Sequence, residues 1–286
     1  LILEPVDENS HPRWPADFVS FDEGRMRVHP DWAPRLTAAG WSTVDAVMQS
    51  SSPRVFRRTL ERENAVVSWD DGAPPCYLKR HFARRPSPWL KEWRQTGRVA
   101  PAGRLEADAA AACRRAGVAV PTVVAAGWRR RGRPWQVDSF FLSEALSDRQ
   151  PADRLCLRRG PWRAEAKRAL LDALAEGARR LHGAGLFHRD FYWSHWFIRE
   201  TPFGRFDATL IDLQRVFRPR RLASRWRLKD LAQFVFSSPQ GWLTYDDLEY
   251  WFARYLGRSR LRSLDRPLLH AVRARAAVYR WREGGA

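Results

Sequence analysis

Five ionisable side chains stand where an ordinary surface charge is not expected. Asp190 lies in the run HRDFYWSHWF (188–197), where aromatic rings surround one carboxylate, and His195 follows five residues later. An acidic group fixed among aromatics is costly to desolvate unless something uses it. Asp212 closes the apolar run ATLID, 22 residues after Asp190. Lys79 lies in PPCYLKRHF, and Glu106 in the Ala-rich run GRLEADAAAACRRAGV. Carboxylates of this kind can take a proton or hold a hard divalent cation through oxygen. An ammonium is a compact charge for an anionic group. Of 50 basic residues only four are lysines, Lys79, Lys91, Lys167 and Lys229. Where Arg has replaced Lys almost everywhere, a retained Lys marks a place that needs that compact charge.

These residues need elements to position them. DFVSFDEGRMRV alternates around Asp22-Glu23-Gly24, a hairpin signal, and DWAPRLTAAGW and STVDAVMQS read as short helices, the second capped by Ser42 or Thr43. RVFRRTLE, NAVVSWDDG and PPCYLKRHF read as three strands. The Ala-rich helix ends at Gly117, and TVVAAGWRR and WQVDSFFLSEAL are two further strands. Past a break near residues 146–152 the pattern turns helical. A long helix spans about 161–185, ATLIDLQRV is a short buried strand, and three more helices follow. The expected organisation is an N-terminal extension at 1–53 (hairpin and short helices), a mixed lobe at 54–146 and a helical lobe at 147–286.

Composition narrows the function classes. A hydrophobic share of 44 % and 15 Trp support a real core rather than disorder. Cys76, Cys113 and Cys156 are scattered without a CxxC pair, so neither a disulfide framework nor a zinc site is expected, and a reducing compartment fits. No secretory leader is visible, and the longest apolar stretch, near 118–128, is broken by Pro121 and is shorter than the ~20 residues a spanning helix needs. The formal net charge of +18 favours anionic partners. A basic nucleic-acid binder has no matching motif, and nucleic acid is not an expected partner.

HRD followed by LID resembles the catalytic-loop and metal-binding motifs of the protein-kinase fold. The chain is more closely similar to the lipopolysaccharide core heptose kinases, the Kdo/WaaP-type family, in HRDFYWSH, LIDLQRV and SFFLSEAL, over roughly residues 54–236. The resemblance implies an α+β, protein-kinase-like two-lobed fold: an N-lobe antiparallel sheet plus one helix, and a mostly helical C-lobe. It implies an ATP- and Mg²⁺-dependent phosphotransferase acting on an inner-core heptose. Asp190 would orient and deprotonate the acceptor hydroxyl, and Asp212 would hold the metal. Lys79 would bind the α/β-phosphates, with Glu106 holding Lys79; Glu92 is the competing partner by position. Glu144 and Leu146, after SFFLS, would meet adenine through the backbone.

His195 stands where protein kinases carry a metal-binding Asn. It is either a metal ligand beside Asp212, or a hydrogen-bond donor to phosphate or to Asp190. His188, Arg189, Trp193 and Trp196 are expected to be structural. Asp230 is either an anchor beneath the catalytic loop or a carboxylate on a helix dipole.

The chain departs from the kinase pattern in three places. RVFRRTLERENAVV has no glycine, so Arg57 or Arg58 is a candidate replacement for a glycine-rich loop; DFG is replaced by Asp212-Leu213-Gln214; and 216–225 is too short for a peptide platform. Alternatives are another small-molecule or protein kinase of this fold, or a pseudokinase. The expected partners are the core glycolipid and an anionic membrane surface. The expected location is cytoplasmic, peripheral at the inner face of the inner membrane. The irregular N-terminal arm, residues 1–16, and FRPRRLASRWR are the candidate contacts. Oligomeric state is not legible.

Overall fold

The computed structural model describes residues 17–82, 100–133, 135–158, 160–219 and 221–284. The N-terminal arm, Lys91, Glu92 and Arg220 of the basic run 217–227 lie outside the described residues. Two compact units organise the chain, residues 1–112 with 122–144 and residues 113–121 with 145–286.

The first unit is built on an antiparallel sheet. Its strands are β1 (Val19–Phe21), β2 (Met26–Val28), β3 (Arg54–Arg58), β4 (Arg62–Val67), β5 (Cys76–His81), β6 (Val123–Arg130) and β7 (Val137–Glu144), in the order β1-β2-β6-β7-β5-β4-β3. The hairpin expected around Asp22-Glu23-Gly24 forms, and these three residues take positive φ. It is not separate from the sheet, however. Met26 pairs with Gly127 and Val28 with Ala125, and both side chains are fully buried. β2 thereby covers what would be an open edge of β6.

Helices α1 (Ala33–Ala38) and α2 (Val44–Gln49) close one apolar core, with Leu36, Val44 and Val47 packed in a cluster with Leu78, Val124, Phe140 and Leu142. Thr43 caps α2 by accepting from Ala46 N. Helix α3 (Ala102–Arg115) approaches β7 closely enough that a Cβ at Gly103 would lie 2.2 Å from the Phe140 carbonyl oxygen. Gly103 N also donates to Ser139 Oγ at 3.1 Å. Only glycine permits this seating, and the seating sets where Glu106 projects.

The second unit is mostly helical. It contains α4 (Ala152–Arg158), α5 (Ala164–Gly183), α6 (Ala223–Phe236), α7 (Tyr245–Tyr255) and α8 (Arg266–Gly284). A small antiparallel sheet joins β8 (Gln150–Pro151), β9 (Trp196–Thr201) and β10 (Arg205–Leu210) in the order β10-β9-β8. β8 and α4 occupy a stretch where sequence periodicity showed only a break. The strand expected over ATLIDLQRV ends at Leu210, so Asp212 stands just past it.

Leu170, Leu174, Ala178 and Leu181 of α5 are fully buried, as their helical spacing requires. Trp193 and Trp196 are also fully buried. Trp193 packs against Phe234 and Trp242 with ring centroids 5.0 and 5.1 Å away, so it is a core residue rather than a sugar platform. All three described lysines have specific contacts: Lys79 with Glu106, Lys167 with Asp247, and Lys229 with the Arg189 carbonyl.

Candidate active site

In the second unit, the segment around Asp190 is held from below by α6. Asp230 is fully buried, and its two oxygens accept from His188 N (2.7 Å) and Arg189 N (2.9 Å). Further along, Gln233 Oε1 accepts from Phe191 N at 3.2 Å, and Ser237 Oγ from Trp193 N at 3.0 Å. Residues 230, 233 and 237 recur at helical spacing, so one face of α6, with the Ser237 that ends it, supplies these anchors. Lys229 Nζ donates to the Arg189 carbonyl oxygen. Burial lowers the Lys229 pKa, against the opposing pull of the Asp190 charge. Of the two readings of Asp230, the geometry selects the anchor.

Arg189 adopts φ +71°. Its side chain is buried, with the guanidinium over the rings of Phe217 and Trp226. His188 is fully buried, and burial holds its pKa below the usual value, followed in weight by the nearby His195. Its Nε2 lies 2.9 Å from the Ile211 carbonyl, which can only accept, so Nε2 carries the proton. Both residues are structural, as their neighbourhood in the sequence suggested.

Ile211 is bracketed a second time, because its N–H donates to the His195 carbonyl at 2.9 Å. These two ties place Asp212 beside the Asp190 loop although it lies 22 residues further along the chain. Asp212 takes a left-handed backbone (φ +56°) and begins the tight turn Leu213–Arg215. That conformation is several-fold enriched in Asp.

His195 Nδ1 donates to the Asp190 backbone carbonyl at 2.7 Å, again fixing the tautomer. Its contact with Asp190 is therefore through the main chain, not the carboxylate. The other nitrogen, Nε2, lies 4.0 Å from Asp212 Oδ2. A neutral His195 thus turns a lone pair toward the Asp212 carboxylate. The donor set fits a divalent cation in part: the carboxylate suits Mg²⁺, whereas an imidazole nitrogen is a softer ligand. Among the described residues no group of three or more His, Cys, Asp or Glu is gathered as a complete metal cage.

Arg215 was not singled out from the sequence, although it stands three residues after Asp212 in IDLQR. Its Nη1 donates to both Asp190 oxygens, at 2.8 and 2.7 Å. The Asp190 side chain is 20 % exposed and that of Arg215 44 %.

The first unit carries its own constellation. Lys79 Nζ lies 2.5 Å from Glu106 Oε1, and both side chains are buried. Cross-strand register puts Arg57 opposite Asn64 and Asn64 opposite Lys79. Directly opposed residues share a face of an antiparallel sheet, so Arg57 and Lys79 lie on the same face. An irregularity between Val55 and Arg57 produces this register. Arg58 is already committed, with Nε 2.7 Å from Glu63 Oε2. Glu144 closes β7; its carboxylate accepts from the Trp32 indole at 3.3 Å, and its N–H donates to the Thr122 carbonyl. That N–H is therefore already bonded within the first unit. The Leu146 carbonyl accepts from Arg149 N at 3.3 Å.

An antiparallel sheet carrying a buried Lys–Glu pair, and a helical unit carrying HRD and a strand-end Asp, define a phosphotransferase of the protein-kinase-like class. A sequence model of the lipopolysaccharide kinase (Kdo/WaaP) family matches residues 90–255. The chain belongs to this family. It is 32 % identical over 235 residues to the lipopolysaccharide core heptose(I) kinase WaaP of Escherichia coli, covering 78 % of this chain and 82 % of that protein. The protein of the same name from Pseudomonas aeruginosa is 33 % identical over 176 residues, 59 % of this chain and 61 % of the relative's length. A solved structure of WaaP in complex with acyl carrier protein superposes with a TM-score of 0.66 at 25 % identity, covering 88 % of this chain and 98 % of that one.

Proposed function

We propose that this chain transfers the γ-phosphoryl group of ATP to a hydroxyl of a heptose in the lipopolysaccharide inner core. The observation that carries the reading is the grouping of Asp190, His195 and Asp212, tied together through Ile211. Family membership supplies the acceptor class.

Phosphoryl transfer needs positioning and charge neutralisation more than covalent chemistry. Asp190, anchored by α6, orients the acceptor hydroxyl and takes its proton. Lys79, held by Glu106, pairs with nucleotide phosphate oxygens. Arg57, on the Lys79 face, adds positive charge where a glycine-rich loop would otherwise offer backbone amides. Glu144 and Leu146 lie in the segment whose backbone would meet adenine, with the Glu144 N–H already bonded to Thr122. Asp212 and His195 Nε2 would hold Mg²⁺, which when bound neutralises phosphate charge.

The acceptor is a glycolipid, so an anionic membrane surface is a proposed partner. The net charge of +18 favours it, at about 1 kcal/mol per basic residue near such a surface. No described helix is long and apolar enough to cross a membrane. The association proposed is peripheral, at the inner face of the inner membrane. The solved relative was captured with acyl carrier protein, and a carrier protein is a proposed partner here too, testable by co-elution.

The deciding experiment gives radiolabelled ATP with purified core glycolipid, a free sugar or a generic protein. Label should enter the glycolipid alone, and Asp190→Asn should reduce transfer by ~10²–10⁴-fold, the scale of a positioned acid–base group. Full transfer by Asp190→Asn would remove the mechanism.

A further inference from the structure

We infer that Arg215 is a positioning residue for Asp190, holding the carboxylate in the orientation that receives the acceptor hydroxyl. The inference rests on the reading of Asp190 as proton acceptor.

Nη1 of Arg215 alone reaches both Asp190 oxygens, at 2.8 and 2.7 Å. A carboxylate oxygen has two lone pairs. Each oxygen therefore keeps one for an incoming O–H, and the ion pair orients the group without closing it.

The backbone holds the two partners together from both sides. Phe187, three residues before Asp190, and Phe217, two after Arg215, exchange N–H···O bonds of 3.0 and 3.1 Å. On the other side Ile211 is bonded to both His188 and His195. Between these clamps, the turn Leu213–Arg215 that follows left-handed Asp212 aims the guanidinium at Asp190. One turn thus sets the Asp212 carboxylate beside His195 and the Arg215 cation on Asp190.

Burial argues against a merely structural role. The Arg215 side chain is 44 % exposed, and ion pairs so open contribute little to stability. The loop is already anchored by Asp230, Gln233 and Ser237. What Arg215 adds is control of the side chain in the loop that receives the acceptor proton.

The test compares wild type, Arg215→Gln, Arg215→Lys, Asp190→Asn and the Asp190→Asn/Arg215→Gln double variant, using radiolabelled ATP and core glycolipid stripped of phosphate. Arg215→Gln should lose ~10–10²-fold in kcat, the scale of a misplaced catalytic group, with KM for ATP within about twofold and the melting temperature nearly unchanged. Arg215→Lys should recover part of the loss. A residue that acts through Asp190 has nothing to act on once Asp190 is replaced, so the double variant should match Asp190→Asn within about twofold. Wild-type turnover in Arg215→Gln, or the same factor lost again in the Asp190→Asn background, overturns the inference. Full transfer by Asp190→Asn fails the reading of Asp190 as proton acceptor instead. A crystal structure of Arg215→Gln supplies a readout free of any acceptor: the Asp190 carboxylate should leave its place. If it stays, the inference is wrong even should the wild type prove inert on this glycolipid.

Discussion

Asp230→Asn perturbs the base of the catalytic loop with the smallest change of shape. The carboxylate is fully buried and accepts from His188 N and Arg189 N at 2.7 and 2.9 Å, with His182 Nε2 at 3.3 Å from the first of these oxygens. The carboxylate can only accept, so Nε2 of His182 donates to it and the Tyr255 hydroxyl donates to Nδ1 at 2.9 Å. An asparagine keeps one oxygen and turns an N–H toward a backbone N–H on the other side. One buried donor is then unpaired, at a cost of about 1–3 kcal/mol, and lost charge assistance brings the total to roughly 2–5 kcal/mol. For a chain of this size that is a fall in melting temperature of about 5–15 °C. Because the lost bonds hold Asp190, kcat should also fall by ~10–10²-fold while KM for ATP moves little. Thermal denaturation followed by circular dichroism, beside steady-state transfer to core glycolipid, measures both. A melting temperature within about 1 °C of wild type together with turnover within about twofold would refute the anchoring argument.

His195→Asn can keep the bond to the Asp190 carbonyl through its amide N–H and offers an oxygen in place of the ring nitrogen. It should retain most turnover but change the Mg²⁺ concentration for half-maximal rate, whereas His195→Ala should lose ~10–10²-fold, at least the scale found for groups that support metal ligands; Mg²⁺ dependence unchanged from wild type in both would exclude a metal role. Gly177→Ala should lower the urea midpoint, because its Cβ would lie 2.6 Å from the fully buried Trp196 ring. Overpacking of about 1–3 kcal/mol outweighs the ~1 kcal/mol gain in helix propensity, and a raised midpoint would contradict this. Asp247 has opposing influences: burial raises its pKa, but hydrogen bonds from Lys167 and Thr244 outweigh it and leave the folded value below the usual one. Its contribution is therefore complete above the unfolded carboxylate value and lost as pH falls through the depressed folded one. Asp247→Asn should accordingly flatten the acid limb of a melting-temperature profile, and an unchanged limb would count against it.

Much of the architecture was legible because it rests on local rules. Helical spacing of Ala166, Leu170, Leu174, Ala178 and Leu181 marked one face of α5, fully buried at all but the half-buried Ala166, and Thr43, one of the two caps expected, caps α2. The hairpin at Asp22-Glu23-Gly24 was legible as a turn, but its membership of the sheet was not. Pairing of β2 with β6 joins residues about a hundred positions apart, and turn chemistry carries no information at that range. β8 and α4 were missed for a related reason: a strand of two residues and a helix of seven are too short for periodicity to register.

By itself the sequence determined which side chains are available for chemistry, and their motif spacing marked Asp190, His195, Asp212, Lys79 and Glu106. Tertiary structure decided what each one touches. Asp230 was an open choice until the fold placed its two oxygens under consecutive backbone N–H groups. The His195 tautomer depends on a carbonyl five residues earlier. Arg215 was one arginine among many until two backbone clamps brought it to Asp190. The physical reason is the same for Asp230 and Arg215, whose partners lie 41–42 and 25 residues away. Hydrogen bonds are short and directional, and across loops of 20 to 40 residues only packing of the intervening chain sets which donor meets which acceptor.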